Sequence, residues 1–147
     1  MTRIDFYVLA DSAVEKRQEF ACRLTQKALH SGSKVYIAVD DDTQAKQLDQ
    51  LLWQFRPESF VPHDCEGEPS LQAPVQIGFG DDCGDHHDLL INLKSTIPEY
   101  FSRFERLIEI VSQQAEVLTH TREHFTFYRD RGYPIQSHDM RQRAANG

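Results

Sequence analysis

The sequence predicts an α/β domain of three layers built on a mainly parallel sheet. Short β-branched and aromatic runs, "IDFYVLA" and "KVYIAVD", alternate with longer stretches whose apolar residues recur at three and four. Such alternation calls for right-handed crossovers between parallel strands. At 147 residues and 39% hydrophobic, with nine phenylalanines, the chain can fill a core on both faces of a sheet. No internal repeat or linker divides it, so one domain is expected over residues 1–134.

Taken in order, Ile4–Ala10 reads as a strand covered on both faces. Ser12 and Glu15 have the spacing of a capping box. Phe20, Ala21, Leu24 and Ala28 then line one face of a helix that Gly32 ends. Lys34–Asp40 is the second strand. A second helix runs from Thr43 to about Phe55, with Ala45, Leu48, Leu51, Leu52 and Phe55 as its stripe, and Pro57 stops it. "SFVPH" is extended, and a loop rich in Gly, Glu, Pro and Ser continues to Ala73. Pro74–Gly80 and Asp88–Lys94 are strands around an acidic loop that carries Cys83, His86 and His87. Thr96 and Glu99 repeat the capping-box spacing with Pro98 between them, so a helix is expected with Phe101, Phe104, Leu107, Ile108 and Val111 buried. The last helix spans about Gln113 to Arg131. Residues 135–147 read as a polar, mobile tail.

Composition excludes several classes of function. Mean hydropathy of -0.57 and the lack of any apolar run near 18 residues argue against a membrane span. No export signal is read at the start, so the three cysteines are expected as cytosolic thiols and the protein as cytoplasmic. A net charge of -7 weakens direct nucleic-acid binding. The turn after the first strand, "LADSAVEK", has no glycine to let backbone amides approach a pyrophosphate, and neither phosphate-loop motif occurs in the chain. The layering is therefore Rossmann-like without the nucleotide-binding glycine motif, and no cofactor is expected. No nucleophile elbow or recognisable catalytic cysteine is present.

Two sets of ligating residues remain. Asp11 with Asp40, Asp41 and Asp42 has the oxygens for Mg²⁺ and phosphate chemistry, and equally the residues for capping helices. His63, Cys65, Cys83 and His86, with His87 adjacent, supply nitrogens and sulfurs for a zinc-stabilised interaction module, but in neither pair at C-x-x-C spacing.

Surfaces offer more. From Thr119 onward five arginines face three acidic residues, a local charge of +2 on an acidic chain. Arg122, Phe125 and Arg129 fall at i, i+3 and i+7 of the last helix, with Tyr128 flanking them. Two guanidiniums around aromatic rings can grip a carboxylate beside an apolar side chain. The alternative is that both rings belong to the helix's buried stripe. Trp53, the lone tryptophan, and Phe60 bracket the exit of the second helix, either closing the core or waiting for another chain.

The blocks "LDQLLWQFRPESFVPH", "PVQIGFG", "DLLINL" and "REHFTFYRDRGY", in that order, resemble the chi (HolC) subunit of bacterial DNA polymerase III holoenzyme. The resemblance runs from the first strand to about Tyr133. It implies a non-catalytic subunit with two contact surfaces. Trp53 and Phe60 match positions that face the psi subunit of the clamp-loader complex, a surface that a repair helicase can also use. Arg122, Phe125, Tyr128 and Arg129 match the site for the acidic C-terminal tail of single-stranded DNA-binding protein (SSB). Phe125 stands where a tyrosine can occur and Thr126 where a basic residue can, while Arg131 adds a cation.

Overall fold

The computed structural model describes residues 1–54, 63–65 and 74–141, with the backbone alone at Trp53 and at 63–65. Seven strands form one sheet: β1 (Arg3–Val8), β2 (Val35–Ala38), β3 (His63–Cys65), β4 (Val75–Gly78), β5 (Leu89–Asn92), β6 (Arg106–Val111) and β7 (Ile135–Asp139). Their order across the sheet is β3-β4-β2-β5-β6-β1-β7, and every pairing is parallel. Among the described residues the helices are α1 (Val14–His30), α2 (Asp42–Gln54) and α3 (Ala115–Asp130), with a 3₁₀ turn at Glu99–Arg103.

Alternation along the central strands divides the core in two, because successive side chains point to opposite faces. Val35 and Ile37, Leu89 and Ile91, Ile108 and Ile110 face Ala21 and Cys22 of α1 and Ala45, Leu48 and Leu52 of α2. Tyr36, Leu90 and Leu107, with Ile4 and Phe6, face the 3₁₀ turn (Tyr100, Phe101), Phe104 and Tyr128 of α3. The three layers expected from the sequence are present. So is the stop of α1: Gly32 follows it at φ +84°, a conformation that costs glycine little.

Four expectations change. The helix expected after Thr96 is only the short 3₁₀ turn, and Arg106–Val111 is the strand β6. In "RLIEIV" four of six residues are apolar and they include both members of two neighbouring pairs, so a three-and-four recurrence cannot be told from a strand buried on both faces. Tertiary pairing decides: β6 is hydrogen-bonded between β1 and β5. Neither capping box forms. The first helical residues are Val14 and Glu99, which leaves Ala13 and Pro98 as caps without side-chain hydrogen bonds. Ser12 and Thr96 thus sit too early in the chain to cap.

The polar tail also begins later than residue 135. Ile135–Asp139 pairs with β1 along Ile4↔Ile135 to Val8↔Asp139. Backbone bonds from Ile4 to Pro134 (2.9 Å) and from Met140 to Val8 (2.8 Å) extend the ladder. A polar edge strand is held by its backbone ladder and by pairs such as His138–Asp5 at 2.9 Å, neither of which shows as apolar patterning. Residues 142–147 lie outside the described residues, as do Phe55, Pro57 and most of "SFVPH" with the loop beyond it.

Candidate functional site

Helix α3 covers the sheet face made by β6 and its neighbours. At about 100° per residue, Thr121, His124 and Tyr128 form its inward stripe, exposed by only 3%, 4% and 0%. A buried stripe of three polar residues needs partners. Glu109, wholly buried on β6, supplies most of them. Its Oε2 accepts hydrogen bonds from Tyr128 Oη at 2.8 Å and from Asn92 Nδ2 on β5 at 3.0 Å. His124 Nδ1 lies 3.1 Å from both carboxylate oxygens, and its Nε2 lies 3.0 Å from the carbonyl of Ser95. A carbonyl can only accept, so Nε2 carries a proton. With Nδ1 donating to the carboxylate, the ring is an imidazolium. Burial opposes that charge, but the hydrogen bond and charge of Glu109 outweigh it and raise the His124 pKa. Burial above all, together with the charge and hydrogen bond of Glu109, raises the Tyr128 phenol far above its ordinary value. Thr121 satisfies itself on the Val117 carbonyl at 2.6 Å.

This network fixes what α3 presents outward. On one flank Arg122 and Arg129 are exposed, with half-buried Phe125 between them. Phe125 packs edge-on against Phe6, ring centroids 5.3 Å apart. Arg122 has no ion-pair or hydrogen-bond partner among the described residues. Arg129 pairs with its neighbour Asp130 at 3.2 Å, an exposed contact worth little. Tyr128, expected among the contact residues, has no surface: its hydroxyl turns inward to Glu109. The structure therefore joins Arg122, Phe125 and Arg129 on one flank and removes Tyr128 from it. Trp53 is the penultimate residue of α2, with its side chain outside the described residues, as is all of Phe60.

The aspartates after β2 are each engaged within the chain. Asp41 Oδ1 accepts from the amide of Gln44 at 2.9 Å, and Asp40 Oδ1 from the amide and hydroxyl of Ser95 at 2.9 and 3.0 Å. Asp42 pairs with Lys46 at 3.0 Å. Asp41 thus caps α2, while Asp40 holds the Ser95 loop and Asp42 is taken up by an ion pair. Cys83 is buried, and burial is the main cause that raises its pKa, which disfavours the thiolate zinc requires. The side chains of His63 and Cys65 lie outside the described residues, and among those described no group of three or more acidic, His or Cys side chains could hold a metal ion.

Glu109 and His124 are the residues that sequence reasoning missed. A carboxylate inside "RLIEIV" was the one available signal, and a helical reading of that run concealed it.

The fold and the site define a class of protein: an open α/β domain without a phosphate-binding loop, whose distinctive features are surfaces. The family model for the DNA polymerase III chi subunit, HolC, matches residues 1–136. The chain is 42% identical over 140 residues to DNA polymerase III subunit chi of Pseudomonas aeruginosa, covering 95% of this chain and 98% of that one. The Escherichia coli subunit chi is 31% identical over 146 residues, covering 93% and 97%. The chain belongs to the DNA polymerase III chi subunit family, and is an accessory replication subunit rather than a catalytic one. The crystal structure of T4 UvsW has the same fold at a TM-score of 0.66 and 10% identity, over 94% of this chain and 41% of that one. Among the described residues no helix is long and apolar enough to cross a membrane.

Proposed function

We propose that this subunit works in the cytoplasm as an adaptor between the clamp-loader complex and SSB. The flank of α3 formed by Arg122, Phe125 and Arg129 receives the acidic C-terminal tail of SSB. The observation that carries this reading is the pair of exposed guanidiniums astride a half-buried ring. One arginine binds the terminal carboxylate, a charge-assisted contact, while the tail's last apolar side chain rests against Phe125. The second arginine attracts the preceding acidic residues. Tyr128 supports the site from behind by holding α3 to Glu109. Exposed charges are screened within about 8 Å at physiological ionic strength, so binding is salt-sensitive, and many tails on one coated strand raise the effective affinity. Trp53 and Phe60 are the anchors for the psi subunit, or for a repair helicase in its place.

Isothermal calorimetry with an SSB tail peptide at two salt concentrations tests the tail site. Combined Arg122→Ala and Arg129→Ala is expected to weaken binding by at least about tenfold, with thermal unfolding unchanged. Equal affinity in the double variant rules the site out.

A further inference from the structure

The opposite flank of α3 carries a second groove of different character. It runs between the 3₁₀ turn and α3, floored by Ile97, Phe101 and Phe127 and closed by buried Pro98. Phe127 and Ile97 are only partly buried, whereas Phe101 beneath them is 8% exposed. Phe101 meets Phe127 edge-on at 5.9 Å, which leaves a face of the Phe127 ring turned outward. That face already holds a cation: the guanidinium carbon of Arg131 sits 3.6 Å from the ring centroid. On the rim stand Glu99 and Glu123, both exposed and neither in a direct salt bridge or hydrogen bond among the described residues, though the charge of Glu123 also acts on His124. Helix α3 is thus two-sided. Arg122 and Arg129 mark one flank, and Glu123 with Glu99 across the groove marks the other.

We propose that this groove docks a basic peptide segment of a partner protein, which inserts an apolar side chain between Ile97 and Phe127. Charge complementarity selects the occupant. His124 also lines the groove, but its charge is met by Glu109, so Glu99 and Glu123 outweigh the single Arg131 cation; the rim repels an acidic tail and a nucleic-acid backbone alike, and attracts Lys or Arg next to the inserted residue. An incoming arginine repeats on Phe127 the contact that Arg131 makes within the chain, and gains Glu99 or Glu123 as a counter-ion. The site is independent of the tail-binding flank, so one subunit can hold both ligands.

The test is a nuclear magnetic resonance titration of the full chain with the probe acetyl-Arg-Leu-Phe-Arg-amide, and with acetyl-Glu-Leu-Phe-Glu-amide as its acidic counterpart. The basic probe is expected to shift the amides of Ile97, Phe101, Glu123 and Phe127 saturably, and the acidic probe is not. Combined Glu99→Lys and Glu123→Lys should weaken the basic probe roughly fivefold or more. Arg131→Ala, which vacates the ring, should strengthen it about two- to fivefold. Arg122→Ala with Arg129→Ala should leave it unchanged, which separates failure here from failure of the tail site. The proposal is overturned by equal binding of the acidic probe at these amides, by undiminished binding in the charge-reversed variant, or by shifts confined to the Arg122 flank.

Discussion

Tyr128→Phe isolates one bond in the buried network. The substitution keeps the ring, and with it the edge contacts to Phe6 and Phe101 at 6.1 and 5.6 Å, and deletes only the hydroxyl that donates to Glu109 at 2.8 Å. A hydrogen bond to a charged, fully buried acceptor contributes about 1.5–3 kcal/mol. Glu109 would retain Asn92 and His124, which holds the loss near the lower half of that range, about 2 kcal/mol. For a chain of this size 1 kcal/mol corresponds to roughly 3–4 °C, so the midpoint of thermal unfolding should fall by about 6–8 °C. Urea denaturation should give the same loss with an unchanged slope. Affinity for the SSB tail peptide, measured well below the new midpoint, should stay within about twofold, because the hydroxyl never reaches the surface. A stability change under about 0.5 kcal/mol would refute the argument from the buried carboxylate. A large affinity loss at unchanged stability would show that the phenol touches the ligand and that α3 rearranges to expose it.

The raised pKa of His124 contributes stability that is complete below the ordinary histidine value of about 6.5 and is lost as pH rises through the folded-state value. His124→Gln should therefore flatten the decline in stability on the alkaline side, as read by denaturation between pH 6 and 9; an unchanged slope would mean that the ring is neutral when folded. Burial opposes the charge on Asp5, but hydrogen bonds from His138 and Arg106 (2.9 and 2.7 Å) outweigh it and lower its pKa. That contribution is present above the ordinary aspartate value and disappears as pH falls through the lower one, so Asp5→Asn should lose stability at pH 7 and progressively less as the medium is acidified, checked by a series of melts from neutral to acid pH. Gly78→Ala should destabilise strongly, because a methyl group there would overlap the ring of Tyr36; an intact melt would show that the ring can move aside. Trp53→Ala or Phe60→Ala should release a psi-type partner in a pull-down and leave the melt of the free subunit unchanged, whereas a collapsed melt would make these rings core.

Layering was legible in the sequence because it rests on local patterns. "IDFYVLA" and "KVYIAVD" are apolar enough to be buried on both faces, and the Ala21, Leu24, Ala28 stripe meets them at helical spacing. What stayed hidden depends on pairing over long distances. "RLIEIV" satisfies both a strand and a helix stripe, and only its place between β5 and β1 settles which. "IQSHD" carries almost no apolar signal, yet it becomes a strand because β1 offers an open ladder. The capping boxes failed for a smaller reason: a shift of one or two residues in the helix start takes the hydroxyl out of reach of the amides it would cap.

At the site, spacing alone placed Arg122, Phe125 and Arg129 together, since i, i+3 and i+7 share a flank whatever lies beneath. Spacing could not tell that Tyr128, one residue from Arg129, faces the opposite way. That outcome depends on Glu109, 19 residues earlier in sequence, which draws the phenol inward. The same carboxylate holds the imidazole of His124, so two successive turns of α3 are fastened to β6 by one buried charge. A helix fastened in this way cannot rotate to mix its flanks. The separation of Arg122 and Arg129 from Glu123 and Glu99 is therefore held by the buried network, and under the two proposals above ligands of opposite charge are expected to meet different flanks of one helix. Breaking that attachment with Glu109→Ala, rather than trimming either surface, should blur the distinction, and both the acidic tail peptide and the basic probe should then lose affinity together.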